Sequence, residues 1–300
     1  MMSDSRAPRQ MGRANPLVGR IRSLSRSAEE RASAGLMIVE GVRLAAEALD
    51  EGVAIQDAVV SERLGRLAGG TEIETRLTKA CARVWRAGEG LLDSLHEAGS
   101  AQGILLVVER PARTPEQVAS SPGHRTLLLM AWGVQDPGNM GALVRLADAA
   151  GGTGLLAVGG ADPFGPKAVR ASAGSIFRLP VARVPGTLEA LELLGALRGR
   201  GVTIAGAMPR GGASHREADL SGPMALVVGG EGAGLPMEVA SALDVRLTIP
   251  MSPRVDSLNV AAAAAVLMFE AAAARQPTSP RAPDPDGRPA SRPASRKRRR

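Results

Sequence analysis

The chain has 300 residues, of which 44% are hydrophobic and 22% charged, a balance that is typical of globular proteins and excludes wholesale disorder. Its length favours two domains of roughly 150 residues each. Its net charge of +7 favours a polyanionic partner, although the first 26 residues carry +5, the last 25 carry +6 and residues 27–275 carry −4.

The first half of the chain predicts a small α/β domain over residues 16–110. Residues 1–15 are polar and basic without an apolar period, so we expect a disordered basic arm there. Apolar residues at helical spacing among arginines predict an amphipathic helix from Pro16 to Arg31. Short apolar runs predict strands with helices between them: strands at Leu36–Val39, Ala54–Val60, Val84–Trp85 and Gly103–Val108, and helices at Val42–Leu49 and Leu91–Ala98.

The second half, residues 124–275, predicts a parallel sheet covered by helices on both faces, because near-continuous apolar strands alternate with helices. Proline and glycine signals predict a linker at residues 111–123, and the Pro/Ser/Arg-rich residues 276–300 predict a disordered basic tail. The predicted strands are Thr126–Trp132, Leu155–Val158, Leu179–Val184, Val202–Ala205, Ala225–Val228 and Val245–Ile249, and the predicted helices are Gly141–Ala150, Pro166–Ser175, Leu188–Leu197, Pro236–Leu243 and Leu258–Arg275.

Several classes of protein are excluded by residue type. The single cysteine, Cys81, excludes a disulfide framework and a cysteine-based zinc site, and three widely spaced histidines give no metal-ligand pattern. No run of about 18 apolar residues and no apolar leader is present, so we expect a cytoplasmic protein with no membrane partner. Only five aromatic residues occur, which argues against a sheet that stacks RNA bases on aromatic pairs.

The loop after the first strand of the second half is the first candidate site. It runs from Gln135 to Ala142 and enters a helix that contains Arg145. Gly138 and Gly141 permit close backbone approach, and Asn139 is a candidate cap for the helix. By itself the segment fits a capped turn with a solvated arginine equally well.

Two further loops follow buried strands. Gly229–Gly234 contains four glycines around Glu231, matches no dinucleotide fingerprint, and would let a ligand lie against bare backbone. The third loop, from Ile249 to Val260, opens the alanine-rich last helix with Ser257 and Asn259, one of which is expected to cap it. Because the carboxyl ends of parallel strands lie at one sheet edge, three such loops favour a common site.

These loops resemble a known family. The segment from Asn139 to Gly151 resembles the first signature of the SpoU/TrmH family of RNA ribose 2′-O-methyltransferases, in the SPOUT superfamily. Residues 229–235 and 249–260 resemble its second and third signatures, in the family's order. Residues 36–43 resemble the family's small substrate-binding domain, which is similar to ribosomal protein L30e. The resemblance spans about residues 16–275, with Gly230 standing where Asn or Ser is frequent.

The resemblance implies an α/β fold with a deep C-terminal trefoil knot, a homodimer packed through the knotted domains, and S-adenosylmethionine as the cofactor. It also implies a polar catalytic set and a cofactor-binding set. The catalytic set is Arg145, Asn139, Glu231, Ser257 and Asn259; the cofactor-binding set is Gly229, Gly230, Gly234, Ile249, Met251 and Leu258.

The family assigns Arg145 a catalytic role. A guanidinium with a pKa above about 12 is a poor proton acceptor, so we interpret Arg145 as a clamp on the adjacent phosphate that stabilises charge on the 2′-oxygen. A role as the base stays open.

Three functions follow from the resemblance. The first is methylation of large-subunit (23S) rRNA, favoured by the N-terminal substrate-binding domain. The alternatives are a tRNA 2′-O-methyltransferase and a non-catalytic RNA-binding ribosome-assembly factor. The sequence does not identify the target nucleotide.

The charge distribution leads to one prediction. Deletion of residues 276–300, which carry +6, should weaken RNA affinity and flatten its salt dependence without changing the methylated nucleotide. Binding measured over a salt series, with mapping of the product, tests this. A shifted methylation site would show that the tail does more than attract RNA.

Overall fold

The structure is a computed structural model that describes residues 8–81, 83–96, 102–111, 113–120, 126–230 and 234–275. The elements up to Glu109 form one sheet with its helices, here called the N-terminal unit. Its strands are β1 (Arg9–Met11), β2 (Leu36–Glu40), β3 (Ile55–Val60), β4 (Arg83–Ala87) and β5 (Ile104–Glu109), and its helices are α1 (Pro16–Arg26), α2 (Ala28–Ala34), α3 (Val42–Asp50), α4 (Gly70–Ala80) and α5 (Glu89–Asp93), with a 3₁₀ turn at Leu64–Arg66.

The N-terminal sheet is mixed, with strand order β1-β4-β3-β5-β2. Strand β5 pairs antiparallel with both β2 and β3, whereas β4 pairs parallel with β1 and β3. Helix α1 packs on the face of β2 that Leu36 and Ile38 form, and α3 packs on the opposite face, formed by Met37 and Val39. The strand is therefore buried on both faces, as its unbroken apolar sequence predicts.

Two predictions for this region were wrong. The expected disordered arm contains strand β1, which pairs with the edge of β4 and buries Met11. Backbone hydrogen bonds to a sheet edge do not depend on side-chain polarity, so a polar segment gives no pattern for such a strand. The single helix expected over residues 16–31 breaks at Ser27, whose hydroxyl accepts a hydrogen bond from the Glu30 amide and caps α2.

The remaining elements form the C-terminal unit. Its strands are β6 (Leu127–Trp132), β7 (Gly154–Val158), β8 (Val181–Val184), β9 (Thr203–Ala207), β10 (Ala213–Ser214), β11 (Met224–Gly229) and β12 (Val245–Thr248), and its helices are α6 (Pro115–Ala119), α7 (Pro137–Ala149), α8 (Pro166–Ala171), α9 (Ser175–Arg178), α10 (Thr187–Gly199), α11 (Met237–Ser241) and α12 (Val260–Ala274).

The C-terminal sheet has the order β10-β12-β9-β11-β6-β7-β8, and its strands all pair parallel. Helices cover both of its faces, as predicted. Two separate buried clusters, one on each side of the sheet, show this. Parallel pairing brings the carboxyl ends of β6, β9, β11 and β12 to the same edge. None of the described helices is long and apolar enough to cross a membrane.

Three boundaries in the C-terminal unit differ from prediction. The expected linker at 111–123 contains α6, which a capping box of Thr114 and Gln117 starts and whose Val118 is buried. Helix α7 begins at Pro137 rather than Gly141, because Asp136, and not Asn139, caps it. The helix expected over 166–175 breaks before α9, where Ala173 has φ +50°.

A buried ion pair joins the two units. Arg31 on α2 and Asp162 in the loop after β7 lie 2.7 Å apart, with side chains only 5% and 7% exposed. Arg31 also donates to the carbonyl oxygens of Leu24 and Ser25, and the Phe164 amide donates to Asp162. Each charge is therefore compensated by a partner and by hydrogen bonds, which is the condition under which a buried pair is tolerated.

We expect Asp162→Ala to lower the free energy of unfolding by about 3 kcal/mol, because it leaves the Arg31 guanidinium buried without its carboxylate. In an Arg31→Met background the same substitution should cost less than about 1 kcal/mol, since no charge is then left uncompensated. Urea unfolding of the four proteins measures both costs. An equal cost in the two backgrounds would contradict the pairing.

Candidate functional site

A cavity of about 410 Å³ lies at the carboxyl edge of the C-terminal sheet. Three loops form its walls, after β9, β11 and β12, and the first turns of α12 form its floor. It is lined by Ala207, Met208, Pro209, Val228, Gly229, Gly230, Gly234, Leu235, Leu247, Ile249, Met251, Ser257, Leu258, Val260, Ala263 and Leu267. Apolar side chains and bare backbone dominate this lining, which suits an organic molecule of moderate size.

The structure brings the predicted cofactor-binding set together. All six residues of that set line the cavity, and so does Ser257 from the predicted catalytic set. The sequence reasoning missed the loop after β9, which contributes Met208 and Pro209. The sequence feature that could have indicated this loop is Pro209, which lies shortly after a predicted strand, at the same edge of the sheet.

The glycines of the second loop allow the backbone to fold back on itself. A Cβ atom at Gly229 would lie 2.5 Å from the carbonyl carbon and oxygen of Gly234, and one at Gly230 would lie 2.3 Å from the Gly133 oxygen. Gly230 also donates to the Trp132 carbonyl oxygen at 2.7 Å. Any side chain at either position would push the loop into the cavity or away from β6. Glu231, predicted to be catalytic, lies outside the described residues.

A hydrogen bond connects the first loop with the third. The Asn259 side-chain Nδ2 donates to Asn139 Oδ1 at 3.1 Å, although the residues are 120 positions apart. Asn259 Oδ1 accepts from the amides of Ala261 and Ala262 and caps α12. The prediction that Ser257 or Asn259 caps this helix is thus confirmed for Asn259, whose amide group both caps α12 and binds the first turn of α7.

Asp136 fixes the start of α7 and so the position of Asn139. Its carboxylate accepts from the Asn139 backbone amide at 2.9 Å and from Lys167 Nζ at 2.7 Å. The Lys167 hydrogen bond, supported by that of the Asn139 amide, holds the pKa of Asp136 below its ordinary value. A carboxylate at a helix N-terminus also interacts favourably with the helix dipole.

Arg145 does not line this cavity. It lies on the exposed side of α7, six residues beyond Asn139, and lines a second cavity between the two units. Six helical residues correspond to about 9 Å along the axis. The predicted set is therefore divided: Asn139, Ser257 and Asn259 lie at or beside the first cavity, and Arg145 lies one to two turns away along α7.

No group of three or more His, Cys, Asp or Glu side chains among the described residues could hold a metal ion. The first cavity offers backbone atoms and a serine hydroxyl instead, and the Asn139–Asn259 pair lies beside it. These groups can bind a neutral or weakly charged organic molecule by hydrogen bonds.

Comparison with known proteins agrees with this geometry. The model of the SpoU rRNA Methylase family matches residues 126–269, and that of the MRM3-like substrate binding domain matches residues 15–105. The 23S rRNA (guanosine(2553)-2′-O)-methyltransferase RlmP of Bacillus subtilis is 32% identical over 244 residues, which are 80% of this chain and 90% of that protein. This chain belongs to the SpoU rRNA methylase family. The family resemblance predicted from the three loops is confirmed.

Solved methyltransferase structures have a similar architecture. The AdoMet-bound rRNA methyltransferase from Sinorhizobium meliloti is similar with a TM-score of 0.75 and 29% identity, over 88% of this chain and 97% of that one. The SpoU methyltransferase AviRb from Streptomyces viridochromogenes, in complex with AdoMet, gives a TM-score of 0.75 and 28% identity over 87% and 99% of the two chains. Because the matches cover 88% and 87% of this chain, they include parts of both units.

Two substitutions of Asn259 separate its roles. Asn259→Ala removes the cap of α12 and should lower the free energy of unfolding by about 1 kcal/mol. Asn259→Asp keeps an acceptor for the cap but cannot donate to Asn139, so it should retain most of the stability. Urea unfolding compares the two variants, and an equal loss in both would show that the Asn139 contact, not the cap, carries the stabilisation.

Proposed function

We propose that this protein is an S-adenosylmethionine-dependent methyltransferase that methylates a ribose 2′-hydroxyl of RNA, in 23S rRNA, in the cytoplasm. The observation that carries the proposal is the first cavity, which gathers all six residues expected to bind the cofactor at the carboxyl edge of a parallel sheet. The names of the relatives support it, since RlmP acts on 23S rRNA and so does a Streptomyces viridochromogenes enzyme that is 30% identical over 84% of its length.

The cavity fits S-adenosylmethionine. The cofactor supplies an electrophilic methyl group when bound. Gly229 and Gly230 present bare backbone to the cavity, at positions where the neighbouring backbone of Gly234 and Gly133 leaves no room for a Cβ atom, and the backbone around Ile249 and Leu258 would provide hydrogen bonds for polar edges of the molecule. Apolar residues such as Leu247 and Leu267 exclude water from the remaining surface.

The polar residues beside the cavity would place the ribose. Ser257 lines it, and the Asn139–Asn259 pair stands at its margin, so these groups can orient a 2′-hydroxyl toward the methyl group. Arg145 would hold the phosphate of the same nucleotide and stabilise negative charge that develops on the 2′-oxygen. The separation of about 9 Å along α7 is a distance that an extended nucleotide with its flanking phosphate can span.

We also propose that the segment between β12 and α12 forms the trefoil knot of this family. Support comes from its path: Ile249 and Leu258 line the same cavity as Gly229 and Gly234, and α12 then packs against α7. Knots are rare in proteins, so this path requires a specific gain. Holding the cofactor between the loops provides one.

A homodimer through the C-terminal unit is a further part of the proposal. Helix α12 leaves Phe269 49% exposed and Val266 37% exposed, and such apolar side chains are favourable at an interface between protein chains. A second copy packed there would cover them.

The proposal is tested by mapping 2′-O-methyl groups on total RNA from cells with and without this protein. Loss of one methyl group from 23S rRNA in the deleted strain, restored by the purified protein with S-adenosylmethionine, is the expected result. Loss from a tRNA would favour the tRNA alternative, and an unchanged map would leave only the RNA-binding role.

Two matched variants test whether the first cavity binds the cofactor and whether Arg145, in the second cavity, acts in the reaction. Arg145→Ala should lower turnover by about 10²-fold or more while leaving S-adenosylmethionine affinity nearly unchanged, because Arg145 lies outside the first cavity. Gly229→Ala should instead weaken cofactor binding, since its Cβ would collide with Gly234. Calorimetry of cofactor binding and single-turnover assays provide the measurements. Equal loss of cofactor affinity in both variants would contradict the assignment.

A further inference from the structure

The second cavity, of about 390 Å³, lies between the two units and is here called the interdomain cleft. The N-terminal unit contributes the end of β2 and the first turn of α3, and the C-terminal unit contributes α7 and α8. Its polar side chains and glycine backbone come from Glu40, Gly41, Arg43, Gln102, Arg145 and Arg170. Only Arg145 among them has a role in the reaction proposed above.

The cleft is a local concentration of positive charge. Arg43, Arg145 and Arg170 line it, and Glu40 is the one acid among its described lining residues. No described carboxylate lies within 4.0 Å of Arg43 or Arg145, and both side chains are exposed to solvent. Residues 27–275 as a whole carry a net charge of −4, so the cluster is opposite in sign to the net charge of that segment. Converging arginines from two units make a surface that attracts phosphates.

Glu40, the acidic residue of the cleft, forms an ion pair that joins the two units. Glu40 Oε2 accepts from Arg170 Nη1 at 2.6 Å, across the interface between the units. Its other oxygen lies 3.3 Å from His96 Nδ1, and both of these side chains are almost fully buried. Glu40 thus holds Arg170 in place. The other two arginines of the cleft, Arg43 and Arg145, have no acidic partner among the described residues.

The N-terminus of helix α3 adds to the positive charge of the cleft. Its first turn lines the cleft, and its N-cap is Gly41, with φ +94°. The Gln102 side-chain oxygen accepts from the Val42 amide at 3.0 Å and would lie 2.8 Å from a Cβ atom at position 41. The N-terminus of α3, with its partial positive charge, therefore lies at the lining of the cleft together with the three arginines.

We propose that the interdomain cleft binds the sugar-phosphate backbone of RNA next to the target nucleotide, with Arg43 and Arg170 as phosphate ligands together with Arg145. This inference rests on the proposed function and deepens it, because it assigns Arg43 of the N-terminal unit a direct role in presenting substrate. The cleft is much larger than a single phosphate and its arginines come from three helices, so it suits a chain of phosphates better than one isolated anion.

Arg43→Gln tests the inference with the full-length protein. Arg43 is exposed and has no ion pair to lose among the described residues, so the variant should fold normally. Arg22→Gln is the matched control, because Arg22 is also exposed but lies on α1, which packs on the opposite face of β2. The probe is deproteinised 23S rRNA from cells that lack this protein, and binding is measured over a salt series.

We expect Arg43→Gln to bind this RNA about tenfold more weakly, with a salt dependence shallower by about 0.7 in the log–log slope, the value for one lost contact to single-stranded RNA. Arg43→Lys should restore the slope but only part of the affinity, because lysine keeps the charge and loses the bidentate fork. Arg22→Gln should match the wild type. Equal affinity and slope for the Arg43→Gln and Arg22→Gln variants would overturn the inference.

The binding measurement needs no methyl transfer, which separates the two proposals. A wild-type protein that shows the Arg43-dependent binding but methylates no nucleotide would refute the proposed function and support the cleft. A protein that methylates 23S rRNA with the same KM in the wild type and in Arg43→Gln would support the function and refute the cleft.

Discussion

The parallel direction of the strands in the C-terminal sheet is the constraint on which the functional site depends. Parallel pairing requires every connection to cross back over the sheet, and it leaves all carboxyl ends at one edge. The loops after β9, β11 and β12 consequently meet around one cavity, although they are separated by up to 50 residues. The hydrogen bond between Asn139 and Asn259 adds the loop after β6 to the same edge. No single loop has a strong ligand-binding signal, and the site exists because the sheet collects them.

The interface between the two units fixes their relative position and so the shape of the interdomain cleft. Arg31 and Asp162 are buried together, and Glu40 and Arg170 are joined across the same interface. One apolar cluster also contains Val39 of the N-terminal unit and Val169 of the C-terminal unit. Buried pairs contribute little net stability compared with apolar contacts, but they penalise any arrangement that separates the partners. They therefore fix where Arg43 lies relative to Arg145, and so determine the shape of the interdomain cleft.

The two cavities differ in the chemistry of the residues that line them. The first is lined by apolar side chains and by glycine backbone, where close approach of chain to chain excludes any Cβ atom. The second is lined by arginines and by the N-terminus of α3. The first lining would hold an organic cofactor through shape and burial, whereas the second would hold a polyanion through charge that salt can screen. Helix α7 connects them, since its first turn contacts Asn259 and its middle carries Arg145.

The sequence by itself determined the family, the order of the main strands and helices, and two of the three loops that form the first cavity, because apolar periodicity and glycine-rich loops are local patterns. It did not predict β1, which is stabilised by an edge of β4 rather than by its own residues, or helix α6 in the expected linker. It placed the cap of α7 on Asn139, although Asp136 performs it and thereby leaves the Asn139 side chain for Asn259. The interdomain cleft was decided only by the tertiary structure. Arg43, Arg145 and Arg170 are separated by as many as 127 positions, and no local pattern encodes the distance between charges on different units.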